Sequence, residues 1–152
     1  MKNIPLPPTN HKPHPYTGPS HDEVLAKRKQ FMNPGIFLYY KKPIMVVEGS
    51  MQYVWDETGK RYLDGLGGIV TISVGHCHPH VVAAANKQTE MLQHSTTIYL
   101  QPNVVAYAEK LASKMPGDLK VCYFTNSGSE ANDLALLMAR ASTGNYDVIA
   151  LR

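Results

Sequence analysis

The sequence predicts an α/β protein that opens a larger domain, and three observations carry that expectation. Short β-branched and aromatic runs separated by turn residues fill residues 44–63, and the hydrophobic period lengthens to that of helices after Pro79. A strand, turn, helix, glycine and strand then follow one another over residues 119–151. With 152 residues, 43% hydrophobic and 18% charged, the chain has the composition of a soluble globular domain rather than of collagen, coiled coil or a disordered segment. No apolar run approaches the roughly 18–20 residues that a membrane-spanning helix needs, so a membrane is not expected as a partner.

Residues 1–19 hold six of the eleven prolines and read as an extended arm, because proline removes backbone donors and pushes its predecessor towards extended conformations. Order is expected from Ser20, where Ser20-x-x-Glu23 forms a capping box for a helix that stops at Asn33-Pro34-Gly35. Residues 44–48, 51–56 and 61–63 are three strands of an antiparallel meander, with turns at Gly49-Ser50 and at Glu57-Thr58-Gly59-Lys60. Such a meander is marginal alone and must pack on something else. Pro79 and Pro102 each suit the first position of a helix, reaching about Leu92 and about Met115. Residues 119–125, 129–141 and 147–151 then make one βαβ unit with Gly144 as the helix stop, its strands parallel and its crossover right-handed. A parallel sheet wants more strands and helices on both faces, so this is the start of an α/β domain.

Charge excludes more than it suggests. The net charge is +3, and the whole excess lies in the first sixty residues, partly in Lys27-Arg28-Lys29. Three basic residues on one helical turn form a solvated face, without the basic stripe and interleaved base-readers of a nucleic-acid binder. No nucleic acid is expected. Cys77 and Cys122 show neither CxxC nor Cys/His ligand spacing, which fits a reducing compartment rather than a disulfide framework.

The most informative turn is Thr125-Asn126-Ser127-Gly128-Ser129-Glu130-Ala131-Asn132, which follows an apolar strand and opens an amphipathic helix. Free first-turn amides, the helix dipole, a glycine that admits close approach and two hydroxyls suit a phosphate. A plain N-cap satisfied by Ser127 or Ser129 accounts for the same residues, and the turn alone does not choose. Ligands of α/β folds gather at the carboxyl ends of parallel strands, which favours binding. A nucleotide loop fails on residues: no Lys precedes a Ser or Thr here, and Val70 stands where a dinucleotide fingerprint begun by Gly65-Leu66-Gly67 needs its third glycine. His76, His78 and His80 could face one way on a strand and hold a metal. Pro79 argues against a strand, and no carboxylate nearby in the sequence offers support, so no metal is expected. Gly67-Gly68-Ile69 permits close backbone approach or simply a bend, and Tyr39-Tyr40 reads as packing unless context makes one a substrate contact.

Taken together, these segments resemble the class III pyridoxal-phosphate-dependent aminotransferases, closest to the alanine–glyoxylate aminotransferase 2 group. The resemblance rests on Tyr16-Thr17-Gly18-Pro19-Ser20, Arg61-Tyr62-Leu63-Asp64, the run from Gly68 to Pro79, Tyr107-Ala108-Glu109-Lys110-Leu111-Ala112 and Asn126-Ser127-Gly128-Ser129-Glu130-Ala131-Asn132, in family order. It implies a fold-type-I transferase. Residues 1–19 would be the arm, 20–75 the helix and meander of a small domain, and 76–152 the start of a large, doubly wound, cofactor-binding domain. It further implies that Ser127, Gly128 and Ser129 hold the cofactor phosphate, and that Asn132 helps position the Asp paired with the pyridine nitrogen. Ile69 and Tyr39 match substrate-facing positions, and the Gly75-His76-Cys77-His78-Pro79 signature is structural.

The implied activity is transfer of an amino group from alanine or a related amino acid to glyoxylate or another 2-oxo acid, in a homodimer with pyridoxal phosphate. That chemistry needs a Schiff-base Lys. In the family this Lys lies beyond position 152, and no Lys here matches it, so no catalytic residue is assigned and the 152-residue chain alone is expected to be inactive. The alternative is a non-catalytic product that is unstable or docks on full-length subunits. The resemblance implies mitochondria, whereas no transit segment is visible, which leaves the cytoplasm open.

Overall fold

The computed structural model describes residues 5–151, and the chain divides into two compact units, Met1–Gln93 and His94–Arg152. In the first unit, helix α1 (His21–Phe31) begins at the expected capping box. The Ser20 hydroxyl accepts from the Glu23 amide, and the Glu23 carboxylate accepts from the Ser20 amide at 2.8 Å. Hydrogen bonds from the Ser20 hydroxyl and then from its amide hold the Glu23 carboxyl below its usual range.

Strands β1 (Val46–Ser50), β2 (Tyr53–Asp56) and β3 (Arg61–Leu63) form one antiparallel sheet in the order β1-β2-β3. The β2–β3 turn lies where the sequence places it, with Gly59 at φ +81°. The first turn does not. Ser50 pairs with Tyr53 and Gly49 with Val54, so the reversal falls on Met51-Gln52 and Gly49 is a strand residue. Its lack of a side chain serves packing instead: a methyl group there would come within 2.8 Å of the His76 ring.

The buried apolar centre of this unit is Tyr53 and Trp55, alternate residues of β2 whose rings meet edge to face at 6.1 Å. What covers them is the arm, which is ordered well before Ser20. The Tyr53 hydroxyl donates to the Pro7 carbonyl at 2.7 Å, and the His11 ring lies 4.9 Å from that of Trp55. Glu48 on β1 accepts from His11 Nε2 at 2.6 Å, His14 Nδ1 at 3.0 Å and the His14 amide at 2.8 Å. That amide, followed by the two imidazoles, keeps the Glu48 carboxyl ionised at lower pH than usual despite partial burial. An arm rich in proline forfeits donors along its length, and these few contacts replace the ladder it cannot make.

Asp56 closes the meander. Its Oδ1 accepts from the Thr58 amide, the Thr58 hydroxyl and the Lys60 amide, and its Oδ2 accepts from the Tyr62 hydroxyl at 2.7 Å. Burial pushes this carboxyl up, and the hydrogen bonds from Thr58, Tyr62 and Lys60 outweigh it, so the net shift is downward. The four-residue turn α2 (Gly67–Val70) follows, then helix α3 (Pro79–Met91) with proline in its first turn.

The second unit holds α4 (Pro102–Ala112) and α5 (Gly128–Thr143). Gln101 caps α4 by accepting from the Val104 amide, and Gly144 ends α5 in the left-handed region at φ +72°, as its place in the sequence predicts. Residues 119–125 and 147–151, expected as parallel strands, belong to no ladder among the described residues. A parallel strand exists only through neighbouring strands, and none lies beside these segments among the described residues: Phe124 stacks on Tyr107 of α4, but Val121 is 81% exposed and Ile149 fully so. Among the described residues no helix is long and apolar enough to cross a membrane.

Candidate cofactor and substrate sites

The start of α5 is built by two reciprocal caps. The Ser127 hydroxyl accepts from the Glu130 amide at 3.2 Å, and the Glu130 carboxylate accepts from the Asn126 amide at 2.8 Å. Both contacts turn polar groups back onto the backbone at the mouth of the helix. The amides of Gly128 and Ser129 then remain unpaired among the described residues, as the first turn of a helix requires. A Cβ built on Gly128 would meet nothing within 4 Å, so a ligand can approach this backbone closely. The cap observed here does not preclude an anion: Ser127 caps one amide, and those of Gly128 and Ser129 have no partner among the described residues. Ser129 and Asn132 are exposed on the first turns of α5.

Ile69 lies on α2, whose backbone is unusual. Gly67, Gly68, Ile69 and Val70 all have φ near +60°, so the turn is left-handed. For two β-branched residues that conformation costs of order 1–3 kcal/mol each and needs support from the surroundings. The support is Asp64. Its Oδ1 accepts from the Leu66 amide at 3.0 Å and the Gly67 amide at 2.9 Å, while its Oδ2 accepts from His76 Nε2 at 2.7 Å. The His76 hydrogen bond, then that of the Gly67 amide, holds the Asp64 carboxyl below the usual carboxylate range. His76 is anchored in turn by a pair of 2.7 Å backbone hydrogen bonds with Met51, beside Gly75 at φ +97°. Ile69 itself is 77% exposed.

Tyr39 is also exposed, its ring 6.0 Å from that of Tyr40 and 6.4 Å from that of Phe37. Ile69 and Tyr39 belong to the first unit, and Ser127, Gly128, Ser129 and Asn132 to the second. Among the described residues no three His, Cys, Asp or Glu side chains are grouped to hold a metal. The carboxylate that sequence proximity failed to supply for His76 is Asp64, twelve residues earlier. Sequence reasoning missed this pair, since it took Asp64 only as part of a longer matching run and Gly49 as a turn residue.

The family model "Aminotransferase class-III" matches residues 39–151. The chain belongs to the class III aminotransferases. Its similarity to them extends over almost all of its length. Alanine–glyoxylate aminotransferase 2 homolog 2, mitochondrial, of Arabidopsis thaliana is 53% identical over 97% of this chain and 31% of its own. The human mitochondrial alanine–glyoxylate aminotransferase 2 is 46% identical over 97% of this chain and 29% of its own. The class III chain thus spans about 30% of the length of these relatives.

Among solved structures, a phospholyase from Arthrobacter in complex with phosphoethanolamine superposes with a TM-score of 0.74 at 43% identity. It covers 81% of this chain and 28% of its own. A taurine:2-oxoglutarate aminotransferase from Bifidobacterium kashiwanohense, in complex with pyridoxal phosphate and glutamate, matches with a TM-score of 0.72 at 25% identity, over 85% of this chain and 29% of its own. The fold is accordingly part of a fold-type-I pyridoxal-phosphate-dependent transferase.

Proposed function

We propose that this chain forms the opening part of a transaminase that passes an amino group from alanine or a related amino acid to glyoxylate or another 2-oxo acid. The observation that carries the reading is the mouth of α5, with two unpaired amides, an uncapped Ser129 hydroxyl and open space over Gly128, in a chain of this family. These residues fit the phosphate of pyridoxal phosphate. The Gly128 and Ser129 amides and the Ser127 and Ser129 hydroxyls would donate to its oxygens, and the helix dipole would favour its charge. Asn132, one turn further along α5, is the residue assigned to positioning the Asp that faces the pyridine nitrogen. When bound, the cofactor supplies an electron sink for the substrate α-carbon. Ile69 and Tyr39 would shape the substrate side and exclude water from it.

The small domain is assigned to residues 20–75 and the cofactor-binding large domain to the sequence from 76 onward. The names of the relatives support mitochondria as the compartment, and the family supports a homodimer as the active form. No Lys of this chain is assigned the Schiff-base role, so the 152 residues alone are expected to give no turnover.

The test has two parts. Titrating the chain with pyridoxal phosphate, and separately with inorganic phosphate, is expected to shift the Gly128 and Ser129 amide resonances before any others. No shift there removes the phosphate assignment. Borohydride fixation is expected to leave no pyridoxyl adduct on one specific Lys, and a single stoichiometric adduct with turnover would refute the inactivity of the chain alone. In the longer polypeptide, alanine with glyoxylate should react and phosphoethanolamine should not. The reverse preference would turn the assignment towards the chemistry of the Arthrobacter phospholyase.

A further inference from the structure

We infer that Asp64, together with His76, is a positioning residue that holds the left-handed α2 turn and thereby presents Ile69 to the substrate. The second half of this inference rests on the transaminase reading, and the first half does not. Both oxygens of the Asp64 carboxylate are engaged: one takes the two amides that enter the turn, and the other takes the His76 imidazole. The turn's own backbone bonds run from the Val70 amide to the Leu66 carbonyl at 3.2 Å and from the Thr71 and Ile72 amides to the Gly67 carbonyl, and the Thr71 and Ser73 hydroxyls donate to the Gly68 and Val70 carbonyls at 2.6 and 3.2 Å.

Gly67 and Gly68 take positive φ at no steric cost, whereas Ile69 and Val70 do not, and it is for these two that the turn needs outside support. His76 can reach Asp64 because two glycines clear its path. Gly49 leaves room for the ring, and Gly75 lets the backbone lie against Met51, where a Cβ would come within 2.8 Å of the Met51 Cα. The pair therefore ties the turn to the residue that follows β1, through the two Met51–His76 backbone bonds, rather than leaving it to local bonds alone. A loop contact of that kind sets where Ile69 stands without touching substrate.

The test compares amide hydrogen exchange in the full 152-residue chain for the wild type, Asp64→Ala, Asp64→Asn and His76→Gln. Asp64→Ala is expected to speed exchange of the Leu66, Gly67, Val70 and Ile72 amides at least about tenfold, with protection in β2 and β3 retained. Asp64→Asn keeps an oxygen for the two entering amides and should restore part of their protection, whereas His76→Gln should loosen the turn with the Leu66 and Gly67 bonds intact. Unchanged exchange in Asp64→Ala overturns the inference. So does an equal loss across β1–β3, which would make the pair a brace of the whole sheet, and so does a wild type without protection in the turn.

The readout on function uses the longer aminotransferase polypeptide with pyridoxal phosphate. There Asp64→Asn should raise KM for the 2-oxo acid on the order of tenfold with kcat within about twofold, the signature of lost binding rather than lost chemistry. An unchanged KM in an active enzyme overturns the presentation of Ile69 while the exchange result stands. A wild type that binds no pyridoxal phosphate instead refutes the transaminase reading and the substrate-facing half of the inference with it.

Discussion

The meander of the first unit and the βαβ-like stretch of the second are built from equally apolar sequence, yet only one of them closes on itself. In the meander, an antiparallel sheet forms by short reversals, and the arm lies over Tyr53 and Trp55 and hydrogen-bonds to Glu48. Its polar groups converge on three carboxylates, Glu48, Asp56 and Asp64, each with several donors. In the second unit the helices are capped as well as any in the chain, but the flanking apolar segments join no strand ladder among the described residues. Antiparallel sheets assemble from sequence neighbours, whereas parallel ones need strands contributed from far along a chain. The difference teaches that a capped helix N-terminus can be formed locally while a parallel sheet beside it cannot.

The most severe way to break the comparison is Trp55→Ala. It should cost about 3–5 kcal/mol, enough to unfold the meander and release the arm, while the amide resonances of α5 stay in place. Loss of both regions together, followed by chemical denaturation with site-resolved NMR, would show that they are not separate. Asp56→Ala comes next, at about 1.5–3 kcal/mol, because it strips a charged acceptor from Thr58, Lys60 and Tyr62.

The same residue gives the comparison a pH axis. The folded pKa of Asp56 is lowered from an ordinary value near 3.8, so its contribution is fully present above that value and is lost as pH falls through the folded one. Asp64 and Glu48 shift in the same direction, so acid below about pH 4 should loosen the meander, its arm and the α2 turn together. A meander whose stability is flat between pH 5 and pH 2 would sink this account. Ser127→Ala should cost α5 about 1 kcal/mol, read as faster exchange at Glu130, and weaken phosphate binding without touching the sheet. Smallest is Tyr53→Phe, about 0.5–1.5 kcal/mol, since it deletes only the hydrogen bond to Pro7 and should loosen the arm ahead of the strands.

Legibility followed the same divide. The capped mouth of α5 was readable because every feature that builds it lies within eight residues, and its role as an anion site remains the proposal. The surroundings of Ile69 and Tyr39, the two residues proposed to face substrate, were not readable from the residues, since the α2 turn is held by Asp64 and His76 and Tyr39 lies in an exposed aromatic cluster. The arm's order was hidden as well. Proline content correctly denied it regular structure, yet said nothing of contacts made 34–46 residues away through His11, His14 and Pro7.

By itself the sequence determined where helices start and stop. Ser20 with Glu23, Pro79, Pro102, Ser127 and Gly144 each act within one turn of the backbone they cap, so no distant partner is needed to know them. Only the tertiary structure decided that Gly49 is a seat for the His76 ring, that the hairpin turns at Met51-Gln52, and that Asp64 holds a left-handed turn. Those choices depend on side chains that are distant in the chain and adjacent in space, and a glycine reads the same in a sequence whether it bends the backbone or makes room for a neighbour.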